Sequence, residues 1–515
     1  METGSNTPQG ISKSIWRSYS SGSSFSQFTG SATADVVVVG CGITGVVTAM
    51  LLKNAGFNVI VLEAMKVGAG STGHSTGNLY GSVEEGFDVI QSKYDTETLR
   101  TVYEARLAGV QLIEDAVDQY SIDCDFKRRA WYLYSANEEN KSQVEKGMKA
   151  GLEAGLPISE VLPGDLPFPV VKGMKIDGQA QFNPLRFVQQ LAEAINGAGC
   201  SIYEDSAVTD IDTDSDKEKA IVKTEGGTVT AKYVVHATHT PKGVFLDFHS
   251  LLGTYREYGV AAKLASGDYP DGIFWGYYNI NERYSVRSYE HNGEKYIVCV
   301  GQPHQVGQKE NNQENIANLE KFLRERFDIA EIVQWWGGQN YKPADALPYI
   351  GRRSSGSNVF VATGFSTDGL TYGALSAIII RDLLQGKETA YTKLFDASRH
   401  NPMKAAGKFI KENAINAAEV FKDYVLFADS KIGEIPEGEG KVVEVDGKKV
   451  AVYKSAEGVK ACSAICTHLY CVVHWNGAEK TWDCPCHASR FDTNGQVLEG
   501  PAMIPLEKVN VNENK

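Results

Sequence analysis

The chain has 515 residues, 42% of them apolar and 22% charged; this excludes a mainly disordered, collagenous or fibrous protein and predicts two to four domains at roughly 150 residues each. Its 51 Lys and Arg against 64 Asp and Glu leave a net charge of −13, which argues against nonspecific capture of DNA or of an anionic membrane. No apolar run reaches the roughly eighteen residues of a spanning helix, and the Ser-, Gly- and Thr-rich start lacks the apolar core of a secretory signal. A soluble, cytoplasmic chain with a loosely held lead over residues 1–34 is expected.

From Asp35 the text changes. Asp35 to Val39 reads as a buried strand, Gly40-Cys41-Gly42-Ile43-Thr44-Gly45 as a tight turn, Val46 to Ala55 as a helix, and Asn58 to Leu62 as a second strand ending at Glu63. This is the βαβ unit of a dinucleotide site: the glycines let the backbone approach a pyrophosphate at a helix N-terminus, and the acid accepts from ribose hydroxyls. A second match, Gly68-Ala69-Gly70-Ser71-Thr72-Gly73, opens no apolar helix and reads as a loop. Residues 85–180 mix amphipathic helical text with aromatic strands such as Trp131 to Tyr134. At Asn183-Pro184 a helix starts with a favourable N-cap and a first-turn proline, its apolar face traced by Leu185, Val188, Leu191 and Ile195. Residues 202–238 read as strands and hairpins that close on Tyr233 to Thr238. Aromatic strands return at Phe274 to Tyr278 and Tyr296 to Val300, followed by a charged helix from Glu314 to Phe327. Asn358 to Gly364 is another buried strand, and Gly369 opens a helix ending near Gly386. Two domains are thus interleaved. Residues 399–424 read as a helical linker, and after about 425 short strands with Asp and Gly turns, such as Asp446-Gly447, form an all-β module.

With one convincing dinucleotide unit, a bound flavin dinucleotide is favoured over a diffusing nicotinamide. The chain resembles the D-amino-acid oxidase-like superfamily of FAD-dependent oxidoreductases over residues 35–398. Besides the turn, the resemblance rests on Gly70-Ser71-Thr72-Gly73-His74-Ser75-Thr76-Gly77, on Ala237-Thr238, on Asp345 to Gly351 and on Gly364 to Thr371. It implies an FAD site formed by Gly40, Gly42, Ile43, Thr44, Gly45, Glu63, Gly70, Ser71, Thr72, His74, Ser75, Thr76, Val208, Gly364, Gly369, Leu370 and Thr371. His74 has three readings: a loop side chain bonded to backbone, a polar neighbour of the flavin, or a covalent attachment point, as in the similar segment of dimethylglycine dehydrogenase relatives.

Five of nine cysteines fall in the last hundred residues. Cys466-Thr467-His468 and Cys484-Pro485-Cys486-His487 give the spacing C-x-H and C-x-x-H, which suits either a [2Fe–2S] centre with mixed Cys and His ligation or a zinc site. Residues 425–515 resemble a Rieske domain, and the resemblance implies Cys466, His468, Cys484 and His487 as ligands and a disulfide between Cys471 and Cys486. Ser489 is placed to donate to a bridging sulfide, whereas Phe491 stands where high-potential relatives often carry a tyrosine donor, so a potential below the highest Rieske values is expected. Tyr470 and Ala488 replace glycines usual in that motif.

The expected architecture is therefore an α/β FAD-binding domain of glutathione-reductase-like Rossmann type (35–84, 181–254, 338–398), interleaved with an α+β substrate domain (85–180, 255–337) and followed by an all-β Rieske domain. By resemblance, the expected reaction is oxidation of an amine or amino acid by hydride transfer to FAD, with electrons passing singly to the cluster and on to an external acceptor or redox protein. Arg287 is the candidate clamp for a substrate carboxylate, and Tyr278, Tyr341 and Tyr372 are candidate pocket walls. An electron-transfer component without an organic substrate, and a flavin enzyme with a Rieske redox sensor, are the competing readings.

Overall fold

A computed structural model describes residues 12–20, 22–213, 219–243, 246–266, 270–279, 282–309, 311–399 and 432–511. Of the helical linker expected at 399–424, all but residue 399 lies outside these residues. Among the described residues no helix is long and apolar enough to cross a membrane.

The first sheet orders its main strands Tyr349–Arg352, Val359–Thr363, Gly227–His236, Gly30–Val39, Val59–Leu62 and Cys200–Tyr203. The central pairs are parallel, Val36 lying opposite both Tyr233 and Val59. Val36 to Val39 are buried: Val36 and Val38 face the helices, and Val37 and Val39 pack against Phe28 and strand residues such as Val222 and Val229, so both faces of the valine text are covered. The helices Ile43–Asn54 and Gly369–Leu384 pack together on one face. The helix expected after Asn183 forms as Pro184–Ile195, with Asn183 accepting the Arg186 N–H and proline in the first turn.

The second sheet takes its strands from several separated stretches of chain, from Asn78–Leu79 through Lys127–Ser135 and Lys172–Gln181 to the long pair Leu252–Leu264 and Ile329–Pro343. It therefore begins before residue 85 and ends after residue 337. The C-terminal module has a three-stranded and a four-stranded sheet, and its hairpin at Asp446-Gly447 places both residues at positive φ, as a two-residue turn demands.

The lead is not loosely held from residue 12 onward. Trp16 is fully buried, its indole donating to the Ser75 carbonyl at 2.7 Å, and Arg17 donates to the Ala69 carbonyl at 3.0 Å. The low-complexity text concealed Ile15 and Trp16, two large apolar side chains whose burial fixes this segment against the 70–75 loop.

Candidate active site

The glycine turn is shaped by close approach. A Cβ on Gly40, whose φ is +97°, would lie 2.7 Å from the Ala237 carbonyl oxygen, and one on Gly45 only 1.9 Å from that of Gly40. Glu63 closes the turn: its carboxylate accepts the Cys41 N–H at 2.7 Å and the Met65 N–H at 2.9 Å. Burial pushes its pKa up, and those two donors and nearby Lys242 pull it back. The second glycine match supplies a 3-10 turn, Ser71–His74, and Thr72 accepts the Ile43 N–H at 2.9 Å, so this loop caps the nucleotide helix.

Of the residues expected to hold FAD, all but Gly45, Gly364 and Thr371 line one cavity of about 600 Å³. These three serve it indirectly. Gly45 packs on Gly40, a Cβ on Gly364 would meet Leu252, Pro343 and Tyr349, and Thr371 accepts the Tyr80 N–H at 3.4 Å. His74 lines the cavity. Its Nδ1 bonds the Gly70 carbonyl at 2.9 Å, while its Nε2 is buried with no hydrogen-bond partner among the described residues. That orphaned nitrogen fits a polar group of a bound flavin.

The expected catalytic side chains divide. Tyr341 lines the cavity, receives a bond from Gln339 Nε2 at 2.8 Å and donates to the Gly500 carbonyl at 3.3 Å. Tyr278 lies in an aromatic cluster instead, bonded to the Tyr134 hydroxyl and packed edge-on to Phe322 at 4.9 Å. Tyr372 is buried beneath the Arg106 guanidinium, 4.3 Å from its ring centre. Arg287 is a structural brace rather than a clamp. Its guanidinium donates to the carbonyls of Thr76, Gly77 and Phe182 at 2.8, 2.9 and 3.3 Å and lies over the Trp16 ring. Burial pulls its pKa down to about 9. A sequence pattern can mark a strand arginine but not the carbonyls that occupy it.

In the C-terminal module, Cys471 and Cys486 are disulfide-bonded, with Cα atoms 6.6 Å apart, tying together the two loops that carry the candidate ligands. Cys466 and Cys484 hydrogen-bond each other, Ser489 reaches Cys466, and the rings of His468 and His487 stand 5.0 Å apart. His468 Nε2 and His487 Nδ1 are buried without partners among the described residues. Two paired thiols and two orphaned imidazole nitrogens in one pocket fit a mixed-ligand cluster. Tyr470 and Ala488 take φ of +60° and +62°, so these loops keep the left-handed turns despite lacking glycine.

The module is seated on the other two layers through buried charge. Arg256 of the second sheet pairs with Glu479, which also receives Arg490 at 3.2 Å and the Asn476 amide at 3.1 Å. Glycine at 337 is required here, since a Cβ would lie 2.3 Å from the Arg256 guanidinium. The ring of His249 stands 4.8 Å from that of His468 and 5.8 Å from that of His487. Residues 497–500, 502 and 503 help wall the same cavity as the glycine turn. Sequence reading missed this wall and missed Glu257, Trp336 and Asn340 on the long strand pair; all three face the cavity. Only the alternation along those strands hinted at them.

Comparison with known proteins agrees with both parts. The family profile "FAD dependent oxidoreductase" matches residues 35–383 and "Rieske [2Fe-2S] domain" matches residues 425–510. The Bacillus subtilis (strain 168) protein YhfW, described as a Rieske 2Fe-2S iron-sulfur protein, is 31% identical over 512 residues, covering 97% of this chain and 98% of that one. Gamma-glutamylputrescine oxidoreductase of Escherichia coli (strain K12) is 26% identical over 73% of this chain and 89% of its own. Among solved structures, glycine oxidase from Geobacillus kaustophilus shares the fold with a TM-score of 0.59 at 21% identity, over 72% of this chain and all of that one.

Proposed function

Because this chain belongs to the FAD-dependent oxidoreductase family and carries a C-terminal Rieske [2Fe–2S] domain, we propose that it oxidises an amine or amino acid at a bound flavin and passes the electrons singly through the cluster to an external acceptor. One observation carries this reading: the Rieske domain walls the flavin cavity with residues 497–500, 502 and 503 and turns both candidate ligand histidines inward onto His249. A flavin takes two electrons from a C–H bond and a [2Fe–2S] centre holds one, so their combination in one chain suits splitting a two-electron oxidation.

The residues divide this work. Gly40 and Gly42 let the backbone approach the pyrophosphate at the helix N-terminus, while Glu63 fixes the turn and keeps lone pairs for ribose hydroxyls. His74 offers Nε2 to the flavin, and Tyr341 closes the cavity against the Rieske domain. Cys466, Cys484, His468 and His487 are the proposed ligands. The Cys471–Cys486 disulfide and Ser489 hold their loops. The names of two similar proteins, gamma-glutamylputrescine oxidoreductase and glycine oxidase, support a nitrogen-bearing substrate.

An anaerobic screen of amines, amino acids and NADH, following flavin and cluster absorbance together, tests the reading. Bleaching by particular amines or amino acids, in protein containing iron and acid-labile sulfide, is expected. Fast bleaching by NADH alone, or zinc in place of iron, overturns it.

A further inference from the structure

The cavity contains an acid that the fold does not use. Glu257 lies on the strand Leu252–Leu264 between Arg256 and Tyr258, both of which turn away to Glu479 of the Rieske domain. Its own side chain therefore faces the other way and lines the cavity. No hydrogen bond or ion pair engages its carboxylate among the described residues. Its cross-strand partner is Gly338, which has no side chain to cover it. Two residues on, Asn340 presents a buried amide oxygen without a partner to the same cavity.

The neighbouring charges are already spent on one another. Lys342 donates to Glu84 at 2.7 Å, Arg283 lies over the Trp275 ring and 3.8 Å from Glu84, and Arg106 pairs with Asp368 at 3.1 Å. Glu85 adds one more negative charge near Lys342. Lys342 and Arg283 lie in the field of Glu257 but give their close contacts to Glu84, so the Glu257 carboxylate keeps its hydrogen-bonding capacity for a ligand. Among the described residues, Arg287 is committed to backbone carbonyls and Lys242 sits in the field of Glu63 and Glu499.

We propose that Glu257 anchors the substrate by its nitrogen, so that the cavity takes an organic ammonium that carries no carboxylate beside the amine. This inference rests on the proposed oxidation and narrows it from amines and amino acids to amines. Burial, Glu84 and Asp368 push the Glu257 carboxyl up to about 7, against the pull of Lys342 and Arg283. Amine binding then strengthens as pH rises through 7 and Glu257 ionises.

The test uses the FAD- and cluster-loaded protein and two size-matched probes, n-butylamine and butyrate, followed anaerobically by the perturbation of the flavin spectrum. Butylamine is expected to bind more tightly above pH 7 than below it. Glu257→Gln should weaken it about tenfold or more and abolish that pH dependence, while Glu257→Asp keeps the dependence and leaves butyrate binding no stronger. The proposal is overturned if butyrate outbinds butylamine, if Glu257→Gln leaves butylamine binding unchanged, or if the loss in Glu257→Gln is one of FAD content. Butylamine that binds through Glu257, in protein that no amine reduces, would retain the anchor and remove the oxidation.

Discussion

A methyl group at position 45 would press to 1.9 Å from the Gly40 carbonyl oxygen, which helix and strand cannot relieve without separating. Gly45→Ala is expected to cost about 1 to 3 kcal/mol and to empty the flavin site, seen as lost flavin absorbance with cluster absorbance retained. His236 makes a different demand. It is buried at the end of Gly227–His236, and burial pulls its pKa from 6.5 down to about 4. Between those values the unfolded chain binds the extra proton, so stability present above pH 6.5 is lost as pH falls towards 4. The change amounts to roughly 3 kcal/mol at most; urea melts between pH 7 and 4 measure it, and His236→Asn should flatten the dependence. At this scale the sequence was legible where a motif and its family resemblance fix the chemistry: Cys466, His468, Cys484 and His487 come together, and Cys471 bonds Cys486 as the resemblance implied. It was not legible for Arg287, whose acceptors are carbonyls of residues 76, 77 and 182.

Strands and helices with one dominant pattern formed where their text placed them. Val36 to Val39 are buried on both faces, and the Pro184–Ile195 helix turns Leu185, Val188, Leu191 and Ile195 inward. The strand Leu252–Leu264 was harder, because its alternation serves two buried partners. Arg256 and Tyr258 face Glu479, and Glu257 faces the cavity. The Arg256–Glu479 pair is fully buried; Glu479 keeps Arg490 if Arg256 is removed, but removing Glu479 strands the Arg256 charge. Glu479→Leu is expected to cost about 3 kcal/mol or more, whereas adding Arg256→Met should recover part of that loss. Urea unfolding of the four proteins of the cycle decides it. A loss in the double variant equal to the sum of the two single losses would show that the pair has no coupling.

Across the whole molecule, the Rieske domain completes the flavin domain. Residues 497–500, 502 and 503 wall the cavity, the Gly243 N–H donates to the Pro501 carbonyl at 3.1 Å, and Gln339 donates to the Ala488 carbonyl at 3.0 Å. A chain stopped after residue 398 leaves Arg256 without its partner and opens that wall; it is expected to lose FAD on gel filtration, read from the ratio of flavin to protein absorbance. Retention of full FAD would show that the wall is dispensable. The cofactors were legible from the amino-acid text, through the glycine turn, the Cys–His spacing and the family resemblance that chose an iron–sulfur centre over zinc, because a turn that holds a pyrophosphate or a metal is built from consecutive residues. Folding across distant segments set the wall that the two sites share, the commitment of Arg287 to carbonyls and the exposure of Glu257 to the cavity. Those outcomes depend on which charges meet across residues 84, 257, 342 and 479, and burial makes each such meeting costly unless a partner arrives from far along the chain.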